Sequence, residues 1–211
     1  MKTTPHGRAL RLRSLAAASA AVGVVAPAVL PASADAAPAI KVRASKHVLV
    51  GHKVKVRGQV KASGHRTVRV QRSKGHGWKT VDSARTDAGG RFSAAFRGRH
   101  VGGMKVRVVA AGTASAAKRT TVYRKVEASY YGPGLYGNRL ACGGRLHRGT
   151  IGVANKTLPC GTRVKLRYRG RQIAVKVIDR GPYSGNRVYD LTEATKERLH
   201  FPSTGRVWSS R

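Results

Sequence analysis

Beyond residue 38, apolar and polar positions alternate with a period of two. Lys53-Val54-Lys55-Val56-Arg57, Thr67-Val68-Arg69-Val70-Gln71 and Lys105-Val106-Arg107-Val108 each set valines on one face and polar or charged groups on the other. This pattern predicts half-buried antiparallel strands with a solvated outer face. Turn signals separate them: Gly51, Ser63-Gly64, Lys74-Gly75-His76-Gly77, Asp87-Ala88-Gly89-Gly90 and Gly102-Gly103. Roughly seven or eight short strands without helical periodicity predict a β-sandwich over residues 38–126. Trp78 and Phe92 read as core or inter-sheet residues. Trp78 follows a Gly-rich turn, so an exposed sugar-stacking platform is its alternative.

The alternation continues in residues 127–211. Val164, Leu166 and Tyr168 share one face of a strand; Arg169-Gly170-Arg171 turns the chain, and Gln172 to Asp179 returns. On that return Ile173, Val175 and Val177 have the same parity as Asp179, so a carboxylate is delivered on the apolar face just before Gly181-Pro182 ends the strand. Two readings of Asp179 follow. It bonds the amides of the turn, or it is a site residue in a groove. Asp190-Leu191-Thr192-Glu193 has the form of a capping box with Asp in the Ser/Thr place. A short helix, about residues 191–199, then presents Leu191, Ala194 and Leu199 to the core, and Pro202 bars its continuation. Val207 and Trp208 read as a closing strand.

Charge narrows the partners. The chain has 211 residues with 42 Lys/Arg against 8 Asp/Glu, a net +34. Residues 35–126 alone carry 22 Lys/Arg and 3 Asp/Glu, a net +19. Ordinary surfaces mix both signs, so this field predicts a polyanionic partner: nucleic acid, anionic lipid or an anionic wall polymer. The N-terminus narrows the choice. Basic residues Lys2, Arg8, Arg11 and Arg13 precede a charge-free Leu15 to Leu30, and Ala32-Ser33-Ala34 offers a small-x-small cleavage site. Residues 1–34 therefore read as a secretory signal peptide, with 35–37 a short linker and no transmembrane anchor after cleavage. Export disfavours a specific nucleic-acid partner, and no recognition helix or zinc-finger spacing is present. The two cysteines, Cys142 and Cys160, suit one disulfide in an oxidising compartment. His147 lies between them without metal-ligand spacing, so no metal and no cofactor is implied. A monomer is expected.

Two resemblances follow. Val50-Gly51, Val54, Val56, Gly58, Val60, Val68, Val70-Gln71, Gly77-Trp78, Thr86-Asp87, Gly90 and Phe92 occur in an order similar to immunoglobulin-like (Ig-like) modules of secreted actinobacterial proteins. That implies an accessory or spacer role for residues 38–126. More specifically, Ala128-Ser129-Tyr130-Tyr131-Gly132, Asn155-Lys156-Thr157-Leu158-Pro159, Gly161-Thr162, Val177-Ile178-Asp179-Arg180-Gly181-Pro182-Tyr183 and Arg187 with Asp190-Leu191 resemble the rare-lipoprotein-A (RlpA) family. The resemblance implies an all-β chain: an Ig-like sandwich followed by a six-stranded double-psi β-barrel with one short helix. The paired cysteines resemble the actinobacterial version.

The implied activity is lytic transglycosylase action on peptidoglycan, favouring strands stripped of peptide stems. Of the family's four candidate groups, Asp179 is present; Gly144 and His147 stand where acids are usual, and Asn155 stands where a His is usual. Conventional glycoside hydrolysis uses two carboxylates, although a lytic transglycosylase in principle manages with one because the sugar's own hydroxyl attacks. Asp179 is the one site acid among Glu127, Asp179, Asp190, Glu193 and Glu197, with His147 either a substitute acid or an exposed loop histidine. The surrounding positive charge favours an ionised Asp179 that binds sugar hydroxyls. Tyr131, Tyr136, Asn155, Arg180 and Tyr183 are the expected substrate contacts, the tyrosine rings being suited to stacking on sugars. Three functions remain: a secreted, wall-associated peptidoglycan binder with weak or no cleavage; an active lytic transglycosylase; and a general binder of nucleic acid or anionic membrane.

Overall fold

The structure is a computed structural model that describes residues 39–61 and 64–211. The expected signal peptide and linker lie outside the described residues. In chain order the strands are β1 (Ala39–Ala44), β2 (His47–Leu49), β3 (Lys53–Lys61), β4 (Thr67–Lys74), β5 (Gly77–Arg85), β6 (Arg91–Arg97), β7 (Gly102–Ala110), β8 (Thr113–Ala114) and β9 (Lys118–Tyr131). Then come β10 (Val153–Ala154), β11 (Arg163–Tyr168), β12 (Arg171–Asp179), β13 (Tyr189–Thr192), the helix α1 (Glu193–Leu199) and β14 (Thr204–Ser209).

The valine alternation decides the first layer pair. β1, β3 and β6 form one antiparallel sheet. β4, β5 and β7, with the first half of β9, form the sheet facing it. Val54 and Val56 from one sheet meet Val68, Val70, Val106 and Val108 from the other, and none of these side chains reaches solvent. Each such burial contributes about 1.5–3 kcal/mol before the cost of ordering the chain. Phe92 joins this core, whereas Trp78 is half-buried with the Arg107 guanidinium 4.2 Å above its ring.

Strand β9 carries the chain from one part to the other, and the expected junction at residues 126/127 falls inside it. Its first half pairs β7 and β2; its second half pairs β13 in parallel and β14 antiparallel. From there the order β9–β13–β10–β12–β11–β14 returns to β9, a closed six-stranded ring with parallel pairs β9/β13 and β10/β12. This is the barrel that the resemblance implies. Its interior is a second core, formed by Val153, Val164, Leu166, Val175, Val177, Leu191, Leu199 and Val207 with Tyr189 and Phe201. Closure leaves the ring without a free edge. At the junction Tyr123 is fully buried, bonds His47 Nδ1 through its hydroxyl at 3.2 Å and packs on Trp208 at 5.9 Å between ring centroids.

The helix start differs from expectation. Strand β13 runs through Asp190 to Thr192, and Thr192 caps α1 with its side chain accepting from the Thr195 N–H. Because the strand pairing holds to Thr192, the cap moves two residues on. Asp190 and Leu191 are strand residues, and Glu193 is the first helical residue instead of the third. Thr192 and Thr195 both donate hydroxyls to the Gly152 carbonyl. Gly152 permits this contact, because a Cβ there would stand 2.3 Å from Ile178 Cδ1.

Candidate active site

The site lies where β12, β10, β13 and β9 run side by side. The registers place Ala154 opposite Asp179 on one neighbour and opposite Asp190 on the other, and Asp190 opposite Ser129. Two inter-strand spacings put the Asp179 and Asp190 backbones roughly 10 Å apart. Tyr131, two residues beyond Ser129 on β9, points to the same side of its strand as Ser129.

Asp179 is held from two directions. Its Oδ1 accepts from the Ala141 and Arg180 N–H groups, both at 2.9 Å. No described residue donates to its Oδ2. The Asp190 carboxylate accepts from the Ser129 hydroxyl. The Tyr131 hydroxyl is buried beside the Asp179 carboxylate, with no partner at full hydrogen-bonding geometry. Burial, then the Asp179 carboxylate, then that of Asp190 push this phenol far above the usual tyrosine range. Tyr131 is therefore a protonated donor beside a carboxylate oxygen with acceptor capacity to spare. A sugar hydroxyl or N-acetyl group, which both donates and accepts, has the chemistry to satisfy both.

The loops that carry this arrangement are tied to β12. Cys142 and Cys160 form a disulfide with Cα atoms 5.5 Å apart. The Cys142 N–H bonds the Ile178 carbonyl at 3.2 Å, and the Gly161 N–H bonds that of Val177 at 2.8 Å. Both ends of the bridge thus lie along the strand that delivers Asp179.

The other expected site residues separate. The Tyr136 hydroxyl donates to Glu193, and the Arg148 guanidinium lies 5.5 Å from its ring. That bond to Glu193 raises the Tyr136 phenol above its ordinary value. Tyr183 is 80% exposed after Pro182, an open ring face. His147 is exposed on its loop, and Gly144 is exposed with φ +79, a backbone that L side chains rarely adopt.

Asn155 and Arg180, both expected as sugar contacts, are bonded within the protein. Asn155 is 4% exposed; its Nδ2 donates to the Val188 carbonyl, and its Oδ1 accepts from the Thr157 and Leu158 N–H groups. Arg180 spends its guanidinium on the carbonyls of Asn155 and Leu158 and on Cys160 Sγ. These bonds brace the 155–160 loop against β12 and the Val188 carbonyl. Sequence reasoning missed Asp190 as a strand residue bonded to Ser129 because its surroundings also fit a helix cap. The signal against that reading was Tyr189-Asp190-Leu191, an apolar–polar–apolar strand triplet directly before Thr192. Among the described residues no group of three or more His, Cys, Asp or Glu is placed to hold a metal.

Residues 123–208 match a family described as lytic transglycolase. A Synechocystis sp. protein named as a probable endolytic peptidoglycan transglycosylase RlpA is 41% identical over 80 residues, covering 37% of this chain and 25% of that protein. The endolytic peptidoglycan transglycosylase RlpA of Campylobacter jejuni is 35% identical over 80 residues, covering 37% and 29%. The chain thus spans between a quarter and a third of the length of these curated relatives. Among solved structures, the Streptomyces papain inhibitor (SPI) aligns at 25% identity over 41% of this chain and 91% of that one, with a TM-score of 0.33.

Proposed function

Residues 123–208 form an RlpA-like double-psi β-barrel domain, and on that premise we propose that the protein is an exported, wall-associated binder of peptidoglycan glycan strands with weak or no cleavage. The observation that carries this reading is the unsatisfied Tyr131 hydroxyl beside Asp179. A buried donor without a partner is costly, and a glycan hydroxyl or N-acetyl oxygen would relieve that cost. Tyr136 and Tyr183 supply ring faces at the mouth. Residues 38–126 serve as an Ig-like spacer joined through β9.

Weak cleavage is supported by what the two carboxylates do. Asp179 accepts from two backbone N–H groups and Asp190 from Ser129. These bonds fix each carboxyl group in place, and no second carboxyl group of the barrel lies directly beside Asp179 in the registers to share the two roles of conventional glycoside hydrolysis. The position where the family usually carries an acid is Gly144, whose φ of +79 would strain any L side chain placed there.

A second reading, cleavage through Asp179, is favoured by the names of the relatives and by the position of Asp190 across Ala154 from Asp179. The experiment that separates the two incubates the protein and an Asp179→Asn variant with peptidoglycan, with and without peptide stems, and analyses soluble products by mass spectrometry. Binding without anhydro-muramic ends is the expected result. Anhydro products from the parent and none from the variant would establish the second reading.

A further inference from the structure

The two-sheet part carries a cleft of its own, apart from the barrel groove. It has a volume of about 660 Å³ and opens beside β5 and β6. Lys53, Arg72, Lys79, Arg97 and Arg99 line it, and no carboxylate does. Val81, Phe96 and Met104 contribute its apolar surface.

The strand registers sharpen the observation. Lys53 stands directly opposite Arg97 in one sheet, and Arg72 directly opposite Lys79 in the other. Like charges in direct cross-strand pairs destabilise a sheet. Here both facing sheets carry such a pair, and all four side chains line the same cleft. Neither described acid of this part forms an ion pair with these cations. The Asp82 carboxylate is bound to the Ser83 and Ala95 N–H groups, and that of Asp87 to the Arg91 N–H. Among the described residues the one ion pair is Arg206 with Glu127, outside the cleft.

The cleft also continues. A second hollow of about 400 Å³, lined by Val50, Gly51 and His52, shares Lys53 and Arg97 with the first. One Arg97 nitrogen donates to the Gly51 carbonyl at 3.0 Å, which orients the guanidinium between the two hollows. The charges therefore form a track suited to a chain of anions. Arginine binds phosphate oxygens through paired N–H donors, and lysine adds point charge.

We propose that this track is a binding site for a phosphodiester-linked polyol chain, a polyanion without bases. Single-stranded nucleic acids are held by broad aromatic faces that stack on bases; no Tyr or Trp lines either hollow, Phe96 is 8% exposed and belongs to the core, and the remaining rings are the imidazoles of His52 and His100. A chain of phosphates without bases needs only the cations. The site is independent of the glycan groove and gives the protein a second point of attachment to an anionic wall.

The test uses the full chain and poly(glycerol phosphate) as probe, with affinity measured by calorimetry at about 0.15 M salt, where screening suppresses diffuse attraction. One variant removes three cleft charges, Lys53→Gln, Lys79→Gln and Arg99→Gln. A control removes three exposed charges elsewhere in the same part, Lys41→Gln, Arg57→Gln and Lys61→Gln. The cleft variant is expected to lose about tenfold or more in affinity and the control less than about threefold, because only the first removes donors to phosphate. As a second readout on the unaltered protein, bound polymer is expected to shield Lys53 and Lys79 from acetylation more than Lys41 and Lys61. Equal losses in the two variants with equal shielding, absence of saturable binding by the parent, or tighter binding of a single-stranded oligonucleotide of matched charge would each overturn the proposal. Asp179→Asn is expected to leave polymer affinity unchanged, so failure of the groove reading and failure of this one are distinguishable.

Discussion

Ala141 donates its backbone N–H to Asp179 Oδ1 at 2.9 Å, and the residue after Ala141 is the disulfide-bonded Cys142. The bridge therefore positions the group that fixes the Asp179 carboxylate. Replacing both cysteines, Cys142→Ser with Cys160→Ser, is expected to cost about 3 kcal/mol in urea denaturation, the loop-closure value for a separation of this size. It is also expected to weaken glycan binding, since the 132–150 loop is then free to withdraw Ala141. Loss of stability with unaltered glycan affinity would separate the bridge from the site.

Thr192, and not Asp190, caps α1. Thr192→Ala removes the helix cap and a hydroxyl that bonds Gly152, with an expected loss of about 1–2 kcal/mol by thermal or urea melting. Asp190→Asn is expected to leave stability nearly unchanged and to weaken glycan binding. Were Asp190 the cap after all, the stability losses would be reversed.

Gly152, just before β10, packs against Ile178 of β12 and bonds Thr195 of α1. An alanine Cβ there would meet Ile178 Cδ1 at 2.3 Å and Cγ1 at 2.5 Å. Gly152→Ala is expected to cost about 1–3 kcal/mol, the usual range for overpacking. Adding Ile178→Ala is expected to recover part of that loss, measured as a coupling energy in a double-mutant cycle. Additive losses would place the strain elsewhere.

Much of the architecture was legible because its causes are local. The valine alternation in β3, β4, β7 and β11 needs only a period of two, and Arg169-Gly170 has to turn. The Asp179 motif could be read because a carboxylate at the end of an apolar strand face is conspicuous. What could not be read depends on pairing between distant strands. Asp190 comes beside Ser129 and Ala154 only because β13 pairs with both β9 and β10. Asn155 and Arg180 become braces only because the 155–160 loop folds back over them. The cationic track likewise requires Lys53 to meet Arg97 and Arg72 to meet Lys79 across registers that composition does not contain.

His47 makes stability depend on pH. Burial, followed by the nearby charges of Arg167, Lys46 and Lys165, lowers its pKa below the ordinary histidine value, and its Nδ1 faces the Tyr123 hydroxyl. Above about pH 6.5 the imidazole is neutral in both folded and unfolded states and contributes no pH dependence. As pH falls through that value the unfolded chain takes up a proton that the folded chain resists, so stability declines with acidification. Urea midpoints at about pH 8 and about pH 5.5 are expected to differ more for the parent than for His47→Gln. Identical differences would remove His47 as the cause.

The central claim is that Asp179 and Tyr131 form the contact point for a glycan strand. The most direct measurement is the affinity of the protein, of Asp179→Asn and of Tyr131→Phe for stem-free peptidoglycan strands, with folding verified by circular dichroism. Each variant is expected to lose about tenfold or more, in line with losing a hydrogen bond at a buried polar site. Folded variants that bind as tightly as the parent would contradict the account and place the glycan elsewhere on the molecule.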